Sequence, residues 1–150
     1  MAAKIHPSMV MRYHSSKEEL FAAAAKIDFH MPDLKAVPPA NRGVALVTHI
    51  LESWEGAASE ELQAILRAAG THELARQRLA ELVEKQAVPV IKSILPSDHV
   101  EERLGLIIIQ ITGLVLGRYF LRHATVKALD RKMIIVQLGA AIQVYMTGKL

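Results

Sequence analysis

The sequence predicts an all-α protein: a small N-terminal helical piece followed by a five-helix body. Three observations carry that expectation. Apolar residues recur at i, i+3, i+4 and i+7 in almost every segment, no segment alternates in the manner of a strand, and glycines and prolines fall between the periodic runs. At 150 residues, 51% hydrophobic and 22% charged, the chain is long enough and apolar enough to bury a core.

The first piece, "IHPSMVMRYHSSKEELFAAAAKIDF", reads as a short helix, a tight turn and a longer helix. His6 or Ser8 can cap the short one, with Pro7 in its first turn. Val10 then faces inward, and Met9, Met11, Arg12 and Tyr13 point outward. Ser15 or Ser16 restarts the helix, with Glu18 or Glu19 near capping-box spacing, and Leu20, Ala23, Ala24 and Ile27 form its inner face. Pro32, Pro38 and Pro39 punctuate "MPDLKAVPPANRG", which divides the chain into residues 1–31 and 32–150.

In the body, "VALVTHILESWEG" places Val44, Val47, Leu51 and Trp54 on one face, Ile50 beside them, and ends at Gly56. "SEELQAILRAAG" starts from a Ser59 cap, buries Leu62, Ile65, Leu66 and Ala69, and stops at Gly70. The run from His72 to Leu95 carries Leu74, Leu79, Leu82, Val83, Val90, Ile91 and Ile94, with a kink expected at Pro89. The next helix is capped by Ser97 or Asp98 and places Glu101 and Glu102 at the positive end of its dipole. The last runs from an Asp130 cap to Gly148.

Leu104 to Leu121 approaches the length of a membrane span, but Arg118 lies inside it and no second such run exists. A helix covered on all sides by protein explains the run better, and no membrane partner is expected. Leu106, Gln110, Gly113 and Gly117 form one stripe of it, and two glycines four apart let another helix come close. That stripe, with Ala140, Ala141, Val144 and Tyr145 of the last helix, is the expected homodimer interface.

Charge and motifs narrow the function classes. Net charge is +3, divided as +1 over residues 1–31, −3 over 32–117 and +5 over 118–150, so charge alone does not point to DNA. The chain has no cysteine, which excludes disulfides and thiol chemistry and points to a reducing, cytoplasmic setting. Its seven histidines show no metal spacing, and there is neither a nucleophile elbow nor a phosphate loop. No metal, cofactor or enzymatic activity is expected.

Ile5, Val10, Tyr13, Ser16, Lys17, Glu18 and Leu20 follow a pattern that resembles the tetracycline-repressor family of bacterial regulators. At the other end, Arg118, Tyr119, Tyr145, Thr147 and Gly148 are similar to the last two helices of an actinobacterial-type branch. Met11, His14 and Lys4 depart from that pattern, where the family has Tyr, Phe and Gly. The resemblance makes residues 1–31 the recognition helix and following helix of a helix-turn-helix, and 32–150 a ligand-binding and dimerisation domain. The supporting helices would precede Ala2, so the chain reads as N-terminally shortened.

With those supporting helices present, the resemblance implies a homodimeric repressor that binds a near-palindromic operator and releases it when a small-molecule effector binds. Tyr13 and Lys17 would contact phosphates, and Ser8, Met9 and Arg12 would face base edges. His49, Trp54, Arg67 and Gln110, polar or aromatic groups in apolar helices, are the candidate effector contacts. The rival reading is a dimerising helical module without DNA affinity.

Overall fold

The computed structural model describes residues 27–57 and 59–150, and among these there is no strand. A single 3₁₀ turn, Pro39–Asn41, leads into α1 (Arg42–Glu55). Then follow α2 (Ser59–Ala69), α3 (Glu73–Leu82), a π-helical turn (Val83–Ala87) and α4 (Val88–Lys92). The chain finishes with α5 (Val100–Val115), a second π-helical turn (Leu116–Phe120), α6 (Ala124–Lys127) and α7 (Arg131–Thr147). No helix among the described residues is long and apolar enough to cross a membrane.

Among the described residues the closest helix pair is α1 with α7, and it rests on two glycines. A Cβ on Gly43 would lie 2.2 Å from the Gly139 carbonyl oxygen, and one on Gly139 would lie 2.9 Å from Val44 Cα. The two backbones therefore touch, which only residues without a side chain permit. Gln143 fastens the crossing: its Oε1 accepts from the Gly43 N–H at 2.8 Å and its Nε2 donates to the Pro39 carbonyl at 2.9 Å. Asn41 makes no side-chain cap, so Gln143 serves one of the amide groups that the start of α1 leaves unpaired. The crossing also accounts for Val44, expected inside and found 39% exposed at its margin, while Leu46 takes the fully buried place.

Pro89 disturbs its helix as expected, but one turn earlier. Proline has no N–H and crowds the carbonyl four residues back, so the chain widens before it, and the Val88 N–H reaches Val83 O in π register. α5 is not capped by Ser97 or Asp98. His99 occupies the cap position with a left-handed backbone, φ 52°. Asp98 instead pairs with Arg103, whose guanidinium is almost fully buried. Asp130 caps α7 as the sequence indicates, accepting from the Met133 N–H at 3.2 Å.

Two apolar clusters result. The larger gathers Leu46, Leu51, Ile91, Ile107, Ile142 and Met146 from α1, α4, α5 and α7. The smaller joins Ile27, Trp54, Leu62, Ile65, Leu66 and Val115. Residues 27–37 belong to this body as well: Leu34 is fully buried, and Arg42 Nε donates to the carbonyls of Leu34 at 2.9 Å and Val37 at 3.3 Å.

Candidate functional site

Between the two clusters lies a cavity of about 420 Å³, within the size range of small-molecule sites. α1 supplies one wall through Leu46, His49, Ile50, Ser53 and Trp54. α3, the π turn and α4 supply Leu79, Val83, Ala87 and Ile91, and α5 supplies Ile108, Ile111 and Val115. Arg76, Ala80, Thr112 and Leu116 also line it but are exposed, so they form the rim.

The remaining wall comes from the segment leading into the body. Phe29 and Met31 line the cavity, and an Asx turn sets Phe29 in place. The Asp28 carboxylate accepts from the His30 N–H at 2.7 Å, and His30 adopts φ 45°, a left-handed conformation that the turn stabilises. Gln86 then grips the segment from the π turn. Its Oε1 accepts from the Phe29 N–H at 2.7 Å, and its Nε2 donates to the Ile27 carbonyl at 3.0 Å. Partners so far apart in sequence leave no local signal, and Gln86 was not legible beforehand.

Trp54 stacks on Tyr119 with ring centroids 5.4 Å apart and planes 14° from parallel. Behind that pair, Glu55 Oε1 accepts from the Tyr119 hydroxyl at 3.0 Å and from Arg118 Nε at 3.1 Å, while Arg131 lies 3.6 Å from its other oxygen. Burial, and then the hydrogen bond to Glu55, raise the Tyr119 pKa far above its ordinary value, so the ring is a neutral donor that holds Trp54 flat. Arg118 also donates to the Val126 and Leu129 carbonyls, tying α6 to the same corner.

His49 is the polar centre of the wall. Burial lowers its pKa, against the opposing pull of the Phe29 main chain and Glu52, so the imidazole is neutral near pH 7. Ser53 lies one turn on, its Oγ 3.4 Å from His49 Nε2 and donating to the His49 carbonyl at 3.0 Å. Among the described residues no group of three or more histidines and carboxylates could hold a metal ion.

Of the four sequence candidates for ligand contact, the cavity brings together His49 and Trp54. Arg67 is exposed on α2, and Gln110 is half-buried away from the cavity wall. The polar positions that sequence reasoning missed are Ser53, Arg76 and Thr112. Arg76 was concealed by its spacing from Glu73, which is that of an ordinary helix-surface ion pair. Ser8, Met9, Arg12, Tyr13 and Lys17 lie outside the described residues.

The expected interface stripe divides. Gly113, Ala140 and Val144 are exposed, whereas Leu106, Gln110, Gly117, Ala141 and Tyr145 are half-buried. Nothing lies within 4 Å of a Cβ placed on Gly105 or Gly113, while one on Gly117 would meet Val126 at an ordinary 3.5 Å. The exposed line on α5 is Ile109, Gly113 and Leu116, with Ile109 65% exposed; on α7 it is Met133, Val136, Ala140 and Val144.

An all-helical body that encloses an apolar cavity with a few polar groups on its wall has the form of a regulatory ligand-binding domain. The chain belongs to the tetracycline repressor-like family: residues 40–146 match the family model for the tetracyclin repressor-like C-terminal domain. No curated protein and no solved structure matches the chain.

Proposed function

We propose that this TetR-type regulator is a homodimeric repressor whose DNA binding is governed by a small molecule in the cavity. The observation that carries the reading is the position of Phe29 and Met31. They wall the cavity and directly follow the stretch whose sequence resembles a DNA-reading element. A ligand that binds against Phe29 stabilises the arrangement of residues 27–31 over any in which that wall is open. That fixes the point at which the preceding residues join the body.

In this reading Tyr13 and Lys17 contact phosphates and Arg12 reaches base edges beside Ser8 and Met9. With Lys17 from each of two protomers on phosphates, duplex DNA binding is expected to weaken about tenfold between 50 and 200 mM salt. Substituting Arg12→Ala and Lys17→Ala together removes most of that dependence. Absence of salt-sensitive binding by the intact chain contradicts the repressor reading and favours the dimerising module without DNA affinity.

Dimerisation is supported by the apolar lines left open on α5 and α7, two helices that pack against each other. Ile109→Glu and Val144→Glu would each bury a charge in that interface. Sedimentation should show a wild-type dimer converting to a folded monomer in either variant, and a monomeric wild type at tens of micromolar contradicts the assignment.

A further inference from the structure

The chemistry of the wall identifies the class of ligand, on the reading that the cavity is the effector site. We propose that it takes an uncharged, largely hydrocarbon molecule carrying one hydroxyl or carbonyl group, which is met by His49 and Ser53.

Charge complementarity decides the first half. Among the described residues, the only charged side chain on the wall is Arg76, at the rim. Its Nη2 is hydrogen-bonded to the Glu73 carboxylate, and its Nη1 donates to the Ala69 carbonyl at 3.3 Å. The guanidinium already has its counter-ion outside the cavity. A carboxylate or ammonium ligand would lose its hydration without gaining an unpaired opposite charge. Apart from His49 and Ser53, the rest of the interior is aliphatic and aromatic, with the Trp54 ring, supported by Tyr119, and the Phe29 ring as its flat surfaces.

Hydrogen bonding decides the second half. His49 and Ser53 project from successive turns of α1 into the same wall. With His49 neutral, one ring nitrogen is an acceptor. The Ser53 hydroxyl, now given to a main-chain carbonyl of its own helix, can rotate to donate to a ligand oxygen. The pair can therefore accept from a hydroxyl or donate to a carbonyl. Thr112 lies on the rim, leaving His49 and Ser53 as the polar pair inside.

Trp54 is the only tryptophan in the chain and forms part of the wall, so its emission reports occupancy directly. The intact chain is titrated at pH 8 with 1-decanol, decanoate and decylammonium, which share a chain length and differ in charge. Decanol is expected to shift Trp54 emission saturably and to bind at least about tenfold more tightly than either ion. His49→Leu should weaken decanol binding about tenfold, and His49→Gln, neutral and still able to hydrogen-bond, should restore most of it. If decanoate or decylammonium binds as tightly as decanol, the uncharged class is overturned while the cavity stands as a ligand site. Unchanged decanol affinity in His49→Leu overturns the role of His49. If none of the three probes perturbs Trp54, the effector-site reading falls together with this one.

Discussion

Arg103→Met is expected to cost the fold about 3–5 kcal/mol through the acceptors it leaves unpaired, the largest effect of any single substitution. The Arg103 side chain is 2% exposed and serves four acceptors. It donates to the Asp98 carbonyl at 3.0 Å, the Asp98 carboxylate at 2.8 Å, and the carbonyls of Tyr145 at 2.9 Å and Gly148 at 3.0 Å. The last two lie at the C-terminal end of α7, where a helix has no amide of its own to offer, and where a cation is also favoured by the dipole. Methionine fills the space but leaves carbonyls without donors, at about 1–3 kcal/mol for each that water cannot reach. Asp98 is different. The hydrogen bond from Arg103 holds its carboxyl below the usual pKa, but the group is open to solvent, and Asn keeps an acceptor oxygen for a guanidinium that still has its three carbonyls, so Asp98→Asn should cost less. Urea denaturation of both variants checks this, and a loss below about 1 kcal/mol for Arg103→Met contradicts the anchoring role.

Gly43→Ala should be the second severe substitution, at about 3 kcal/mol. In a helix interior this change ordinarily gains about 1 kcal/mol. Here the new methyl would lie 2.2 Å from the Gly139 carbonyl oxygen, 2.9 Å from Gln143 N and 3.0 Å from Gln143 Cβ, mostly main-chain atoms that cannot rotate away. Relief requires α1 to lift from α7, which also stretches the Gly43–Gln143 hydrogen bond. Gly113→Ala is the matching control, since its methyl meets nothing within 4 Å. Measured in the Ile109→Glu background, where a second copy is kept off that face, it should stabilise by about 0.5–1 kcal/mol. Equal effects at the two glycines would mean that the α1–α7 contact is not tight.

These two sites mark the limit of what the sequence made legible. Most of its local signals hold: Asp130 and Gly148 bound α7, Gly56 and Gly70 end α1 and α2, and Pro89 announces a disturbance that the structure realises as a π turn, while the cap expected at Ser97 or Asp98 falls on His99 instead. Each of those rests on neighbours within a turn or two. Long-range partners were not legible. Glycine spacing signals that a helix can be approached closely, but not by what, so Gly113 and Gly117 drew attention while the closest crossing is made by Gly43 and Gly139. Arg103 carries no local signal of its role, because its acceptors on α7 are distant in the chain. In the cavity, His49 and Trp54 were recognisable as polar or aromatic groups in apolar runs. Ser53 and Thr112 were too small to stand out, and Gln86 matters only because residues 27–29 fold back onto it.

The central claim is that a ligand in the cavity is held partly by residues 27–31. Amide hydrogen exchange at Phe29, whose N–H is given to Gln86, tests it most directly. With 1-decanol at about a hundred times its Kd, every opening that moves Phe29 off the cavity becomes rarer by the same factor, so exchange there should slow about a hundredfold. The Lys127 and Ala128 amides at the end of the short α6, which bond to carbonyls of residues 123–126, should be unaffected. Unchanged exchange at Phe29 while Trp54 reports a filled cavity would contradict the claim, because the segment leading into the body would then open and close without reference to the ligand.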